Sequence, residues 1–278
     1  MYFCPTPIGN LRDITLRVLD VLREADCIAC EDTRVTLKLL NAYQIRKPLL
    51  SYHAHNIPQA TRDILKLVRE GKVVAFVSDA GMPGIQDPGM ELVLRLLEEG
   101  VPFEVLPGPS AFLLGVVYSG FAFSGFIFLG FLPRKGKERE ETLKRALFLP
   151  QATVLYESPR RLLETLGDIR EIAGGERRVL VARELTKIHE EILRGAVAEV
   201  EEMLKGRDVL GEVVIVVEGA PKRKEEVQVP RRLLELLRRR GFTQKDIVAL
   251  LSEGLGIEKN ALKRQLSALE EVGNLGEG

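Results

Sequence analysis

The chain has 278 residues, with 40 Lys+Arg against 40 Asp+Glu and no Trp. At roughly 100–200 residues per domain, that length suggests about two domains. A hydrophobic share of 45% supports ordinary buried cores, and balanced charges at 29% exclude a disordered polyelectrolyte. A formal net charge of zero excludes a basic coat over the whole molecule, though not a local basic patch.

In chain order, residues 1 to about 118 alternate β-rich runs with helical patterns. Tyr2–Pro5 reads as a strand, Ile14–Glu24 as an amphipathic helix, Asp26–Cys30 as a strand and Ala60–Glu70 as a helix. Val73–Val77 is a strand, Met90–Glu98 a helix and Phe103–Leu106 a strand. Such alternation predicts a mostly parallel sheet with helices on its faces. From about 119 to 220 the pattern changes. Phe126–Leu129, Thr153–Tyr156, Val179–Ala182 and Val213–Val217 read as strands with fewer helices between them. This predicts a second α/β domain, of mixed sheet direction, with the boundary near Ser119-Gly120. Lys222–Val229 is charged and poor in β-formers, which reads as a linker.

Three helical patterns follow. Pro230–Arg240 has Pro at an expected N1 position and Gly241 at C′. Thr243-Gln244-Lys245-Asp246 resembles a capping box and opens the second, Gly254–Gly256 is a turn, and Glu258–Glu271 is the third. The expected organisation is therefore 1–118, 119–220 and 221–278. The tail reads equally as a helix-turn-helix module or as a plain small bundle.

Several features exclude compartments and cofactors. Met1-Tyr2-Phe3-Cys4-Pro5 lacks a basic n-region and an apolar h-region, so no secretory signal is read. Three Cys, an odd and sparse count, suit a reducing cytoplasm. Cys27-Ile28-Ala29-Cys30 has C-x-x-C spacing. On a strand those two side chains face opposite sides, and no second pair completes a zinc set. They are expected in the core. His53 and His55 lack a nearby third ligand, which favours loop packing or substrate contact over a metal. The uncharged stretch Val105–Pro133 is broken by Gly and Pro, so no membrane span is expected. Phe121, Phe123, Phe126 and Phe128 recur in it at period two, as in strands. Six of the 11 Phe lie between Phe112 and Phe131, leaving core and dimer surface as equal readings.

In open α/β sheets ligands sit beyond the carboxyl ends of strands. Three such ends here are rich in Gly and Pro: Thr6–Asn10, Ser78–Gly89 and Pro107–Ala111. Gly permits close backbone approach and Pro fixes the course, so together they outline a backbone-lined cleft. Neither G-x-x-x-x-G-K-[ST] nor G-x-G-x-x-G is present, which disfavours a nucleoside-triphosphate or dinucleotide site. Asp79 either accepts hydrogen bonds from a ribose or amino group or caps its turn. A second set of strand ends is charged: Glu31-Asp32-Thr33-Arg34, Tyr156-Glu157-Ser158-Pro159-Arg160-Arg161 and Ala182-Arg183-Glu184-Leu185-Thr186-Lys187. Arg grips phosphate bidentately, so these ends suit a phosphodiester backbone as well as surface ion pairs.

Charge is uneven. Residues 1–220 carry 28 basic and 31 acidic groups, whereas residues 221–278 carry 12 and nine. A second cluster holds Arg134, Lys135, Lys137, Arg139, Lys144 and Arg145. Such patches either neutralise phosphates or form solvated helix faces.

These motifs together resemble the ribosomal small subunit methyltransferase I family. The resemblance runs in order through Pro5–Leu11, Asp13–Thr15, Glu31–Arg34, Ser51–His53 with His55-Asn56, and Ser78–Gly81. It continues through Asp87–Gly89, Pro107–Ala111, Gly130–Arg134, Ser158-Pro159 and Ala182–Lys187. It covers residues 2 to about 219, with weaker motifs in the helical tail. It implies the tetrapyrrole-methylase superfamily, with two α/β lobes, S-adenosylmethionine in the cleft between them, and a homodimer. It also implies a cytoplasmic enzyme that methylates the ribose 2′-hydroxyl of a cytidine in the decoding region of 16S rRNA, on the rRNA or the 30S subunit. By matching motifs, the implied cofactor contacts are Ile8, Asp79, Met82, Ser110, Ala111, Tyr156 and Ala182. Where the family usually reads Thr-Pro-Leu-Ile-Ser, this chain reads Met82-Pro83-Gly84-Ile85-Gln86, so a side-chain hydroxyl is lost at Met82.

A ribose hydroxyl is a poor nucleophile, so a base or local electrostatic help is expected. The candidates for catalysis are Glu31, Asp32, Glu157 and Lys187. Those for RNA are Arg34, Arg134, Lys135, Arg160, Arg161 and Arg183. No metal is required. Two other readings remain at this point: a tetrapyrrole C-methyltransferase with the same cofactor site, and a non-catalytic RNA-binding assembly factor.

Overall fold

A computed structural model describes residues 1–122, 124–221, 229–255 and 259–273, without the side chains of 261 and 268–273. Phe123, Gly256 and all of the expected linker but Val229 therefore lie outside the described residues. The chain divides into two compact units, Met1–Ala220 and Pro221–Gly278.

The first sheet joins β1 (Tyr2–Cys4), β2 (Cys27–Cys30), β3 (Leu49–Ser51), β4 (Val74–Val77) and β5 (Glu104–Val105) in the order β3-β2-β4-β1-β5. Every pairing is parallel. β2 and β4 are buried at each residue, as continuous apolar runs in parallel sheets usually are. Around the sheet lie α1 (Leu16–Glu24), α2 (Thr33–Ala42), α3 (Ile57–Arg69) and α4 (Gly89–Glu98). Alternation along β4 divides them. Ala75 and Val77 pack with Val18 and Leu22 of α1, while Val74 and Phe76 pack with Ile64 of α3 and Leu92 and Leu96 of α4. Cys4, Cys27 and Cys30 are free and buried.

The connection to the second sheet is α5 (Ala111–Ser119), an apolar helix. It packs on the second sheet, with Val116 among Ala152, Val154, Leu180, Ala182, Val214 and Val216. Gly115 makes the close approach possible, because a Cβ there would lie 2.7 Å from Val214 Cγ1. By packing, α5 therefore belongs with the second sheet.

The second sheet contains β6 (Phe126–Phe131), β7 (Ala152–Glu157), β8 (Arg178–Arg183), β9 (Glu191–Ala196) and β10 (Val213–Val217), ordered β6-β7-β10-β8-β9. Only β6 and β7 run parallel; the other pairs are antiparallel. Its face opposite α5 is covered by α6 (Lys137–Leu147), α7 (Leu162–Ala173) and α8 (Val197–Leu204). Helices are thus not sparse here. α6 was concealed by its charge, reading as a basic cluster, yet Leu143, Ala146 and Leu147 give it a buried face.

The second unit holds α9 (Arg231–Arg239), α10 (Gln244–Leu255) and α11 (Lys259–Gly273), sharing a core of Leu234, Ile247, Val248, Leu251, Leu262 and Leu266. Pro230 sits at the N-cap of α9, one position earlier than expected, and Gly241 is left-handed. Thr243 and Asp246 cap α10 reciprocally: the Asp246 N–H donates to Thr243 Oγ1 (3.2 Å) and the Thr243 N–H to Asp246 Oδ2 (3.0 Å). Among the described residues no helix is long and apolar enough to cross a membrane.

Candidate active site

The strand ends of both sheets converge on one cavity of about 420 Å³ in the first unit. That volume is ordinary for a small-molecule site. From the first sheet come Ile8 after β1, Glu31 after β2, Ser78–Met82 and Ile85–Asp87 after β4, and Ser110-Ala111 opening α5. From the second come Phe131, Tyr156–Pro159, Leu185 and Gly211–Val214.

Backbone pairing fixes the loops. Thr6 and Gly81 exchange N–H···O bonds of 3.0 Å in both directions, and Thr6 Oγ1 donates to the Ser78 carbonyl at 3.1 Å. Across the cleft the Asn10 N–H donates to Thr186 Oγ1 at 3.0 Å. Gly9 lies so near the second lobe that a Cβ would meet the Leu185 carbonyl at 2.9 Å. The Phe131 N–H donates to Gln86 Oε1 at 3.3 Å.

One side of the cavity is acidic. Burial, then the neighbouring carboxylates of Asp79, Asp87 and Asp32, push the Glu31 carboxyl above the ordinary glutamate value. Burial likewise raises Asp79, against the pull of the Asp32 N–H that donates to it at 3.0 Å. Burial raises Asp87 too, although the Gly84 and Gly89 N–H groups donate to its carboxylate. Crowded carboxylates in a partly dry site favour a cation.

Ile8, Asp79, Met82, Ser110, Ala111 and Tyr156 all line the cavity. Ala182 does not: it is fully buried in the core beneath α5. The catalytic candidates separate. Glu31 lines the cavity. Asp32 does not; it caps α2, accepting from the Arg34 N–H at 2.8 Å and from the Arg34 guanidinium. Those bonds hold its carboxyl down at about 2, so it is a poor base.

Glu157 borders the cavity, but its carboxylate is fully buried and committed. It accepts from the Ser158 N–H (2.7 Å), Thr165 Oγ1 (2.7 Å) and Arg161 Nη2 (2.6 Å). Lys187 lies outside the lining and pairs with Glu184 (2.8 Å) and Glu212 (3.2 Å). Burial lowers its affinity for a proton, but those carboxylates override that and hold it above the ordinary lysine value.

Of the RNA candidates, Arg134, Lys135 and Arg160 are exposed. Arg34 is also exposed, while paired with Asp32. Arg161 is paired with Glu157, and Arg183 with Glu191 (3.1 Å) and the Leu210 carbonyl (3.0 Å). Arg139, counted in the basic cluster, is buried against Asp168, Thr165 and Glu157. His53 and His55 belong to a loop in which the His55 N–H donates to His53 Nδ1 at 3.3 Å. Among the described residues no group of three or more His, Cys, Asp or Glu is placed to hold a metal ion.

Phe131, Gln86 and Asp87 also line the cavity. They sit inside motifs quoted above, but nothing in spacing alone distinguished them. Gly211 and Glu212 escaped for a topological reason. β10 is antiparallel to β7 and β8, so its beginning, not its carboxyl end, reaches the cleft.

Residues 1–201 match the family model for Tetrapyrrole (Corrin/Porphyrin) Methylases. "Ribosomal RNA small subunit methyltransferase I" of Thermotoga maritima is 51% identical over 214 residues, 77% of this chain and 96% of that protein. The protein of the same name from Escherichia coli O157:H7 is 41% identical over 276 residues, 98% of this chain and 96% of its own. The chain belongs to the ribosomal RNA small subunit methyltransferase I family. Its fold is that of solved tetrapyrrole methyltransferases. The methyltransferase CobJ superposes with a TM-score of 0.60 at 21% identity, over 80% of this chain and 95% of CobJ. Thermus thermophilus uroporphyrin-III C-methyltransferase, solved with S-adenosyl homocysteine, gives 0.56 at 21%, over 78% of this chain and 96% of that one.

The family's cofactor, S-adenosylmethionine, fits the residues present. Its sulfonium and ammonium cations suit the carboxylates of Asp79 and Asp87. Its apolar surfaces suit Ile8, Met82, Ile85 and Val214, which line the same cavity.

Proposed function

We propose that this protein transfers a methyl group from S-adenosylmethionine to the 2′-hydroxyl of a cytidine ribose in the decoding region of 16S rRNA. On this reading it works as a homodimer in the cytoplasm, on the rRNA or the 30S subunit. The observation that carries the chemistry is Glu31, a half-buried cavity carboxylate with a raised proton affinity. The family relationship supports the class of substrate.

S-adenosylmethionine supplies, when bound, a methyl group made electrophilic by sulfonium. Ile8, Asp79, Met82, Ser110, Ala111 and Tyr156, which line the cavity, would hold it. The two lobes exclude water and orient the ribose, a positioning effect on the order of several kcal/mol. Glu31 would take the proton of the hydroxyl whose oxygen gains the methyl group, while the sulfonium S–CH3 bond breaks and neutral S-adenosylhomocysteine leaves; its raised pKa brings it nearer the operating pH than an ordinary glutamate. Glu157 and Lys187 shape the surroundings through their ion pairs. Arg34, Arg134, Lys135 and Arg160 face solvent and engage phosphates.

The test is incubation of 30S subunits lacking the modification with methyl-labelled S-adenosylmethionine, followed by nucleoside analysis. Labelled 2′-O-methylcytidine is expected. Its absence, with free label unconsumed, sinks the reading.

A further inference from the structure

An aromatic path runs through the second lobe to the cavity mouth. Phe112 stacks on Phe128 at 4.5 Å, Phe128 meets Tyr156 edge-on at 5.0 Å, and Tyr156 lies 5.6 Å from Phe131. Phe131 differs from the others. It lines the cavity and is nevertheless 52% exposed, so much of its ring is uncovered at the mouth of the site.

Its placement is held from the opposite lobe. The β6–β7 register shifts between Phe128 and Phe131, a bulge that re-aims Phe131. Gly130 takes a left-handed φ of +63°, and the Phe131 N–H that the bulge frees is accepted by Gln86. The Gln86 amide lies so tightly over Gly130 that a Cβ there would come within 2.2 Å of it. Gln86 itself has φ +65°, unusual for a residue with a side chain. Strain of this kind persists where surrounding structure over-determines it, often at ligand clamps. Exposed cations follow three and four residues later in the chain, at Arg134 and Lys135.

A flat uncovered ring at the mouth of a methyl-transfer cavity, followed in the chain by exposed cations, suits a nucleobase tethered to a phosphate backbone. We propose that Phe131 is the platform on which the base of the methylated nucleotide stacks, and that Gln86 is the positioning residue that holds this platform at the cavity mouth. This rests on the reading that RNA is the substrate.

The experiment compares wild type, Phe131→Ala, Phe131→Leu, Phe131→Tyr and Gln86→Ala. Methylation of unmodified 30S subunits is measured against subunit concentration, and S-adenosylmethionine binding by equilibrium dialysis. Removing the ring, by Ala or Leu, raises the half-saturating RNA concentration about 10- to 100-fold, with cofactor affinity unchanged. Phe131→Tyr restores it to within about threefold of wild type, and Gln86→Ala gives an intermediate loss. Unchanged RNA dependence in Phe131→Leu overturns the proposal. So does an equal loss of cofactor affinity, which assigns the ring to the adenine, or dissociation of a wild-type dimer in sedimentation, which assigns it to an interface between copies. Failure of the wild type to methylate RNA at all sinks the parent reading, and this one with it.

Discussion

A carboxylate stands at the end of each of two strands, Glu31 just after β2 and Glu157 as the last residue of β7, and both border the same cavity. Their surroundings differ. Glu157 is enclosed: Arg161 at 2.6 Å and Arg139 at 3.8 Å neutralise it, while Thr165 and the Ser158 N–H fill its remaining lone pairs. Glu31 is half-buried beside Asp79, Asp87 and Asp32, with like charges rather than cations as its electrostatic neighbours. A carboxylate saturated by guanidinium and hydroxyl groups organises the fold. One crowded by other carboxylates is poised to take up a proton or to face a cation. Position at a strand end does not separate these two fates; the partners do.

The sharpest test of that contrast is Arg139→Ala. Arg139 joins α6 to α7 and β7 through Asp168 (2.8 Å), Thr165 (2.8 Å) and the Pro133 carbonyl (3.3 Å), and stands beside Glu157. Its loss leaves a buried carboxylate short of one cation, at a cost of about 3–5 kcal/mol. Urea unfolding measures it. A loss below about 1 kcal/mol shows that Arg161 alone suffices and that the enclosure of Glu157 is overstated.

Glu31→Gln is expected to act on the opposite side of the comparison. The rate of methyl transfer falls at least about 100-fold, the ordinary contribution of a general base, without loss of stability. In wild type the single-turnover rate declines as pH drops through the raised Glu31 value, because the protonated carboxyl can no longer take up the hydroxyl proton. In Glu31→Gln that acid limb disappears. The stability effect has a defined sign. The folded protein binds this proton more tightly than the unfolded chain, so wild type loses stability as pH rises from the ordinary glutamate value through the raised one. Above that window the glutamine variant is equal to or more stable than wild type. A rate near normal, with the acid limb intact, removes Glu31 as the base.

How much of this was legible beforehand depends on the scale of the determining forces. Strand-helix alternation and buried apolar runs such as Val74–Val77 are local, and they announced the first sheet. β3 (Leu49–Ser51) was missed because three residues carry no period, and α2 because its opening, Thr33-Arg34, read as loop chemistry. Six of the seven residues marked for the cofactor line one cavity, since strand-end loops of a parallel sheet must share an edge. Ala182 lies outside that lining because alternation along β8 turns it into the core beneath α5. The roles of charged residues were the least legible. Arg139, Arg161 and Arg183 look like Arg134 and Arg160 in sequence, and only the partners that the fold brings to them separate the buried or paired ones from the exposed.

Asp32 gives the smallest expected effect and the finest discrimination, because it adjoins Glu31. Its side chain accepts from the Arg34 N–H at the start of α2, and its carboxyl is held near 2 by the Arg34 guanidinium and backbone. Asp32→Ala removes a helix cap and an exposed pair, and its own backbone N–H still reaches Asp79. The melting temperature falls by a few degrees at most, about what one lost cap produces. The methylation rate stays within about threefold of wild type, with the acid limb shifted slightly to lower pH, because one of the charges that raises Glu31 is gone. Calorimetry and a single-turnover pH profile on one preparation check both parts. A collapse in rate without a change in melting temperature exchanges the roles of the two neighbours and makes Asp32 the residue that takes the proton.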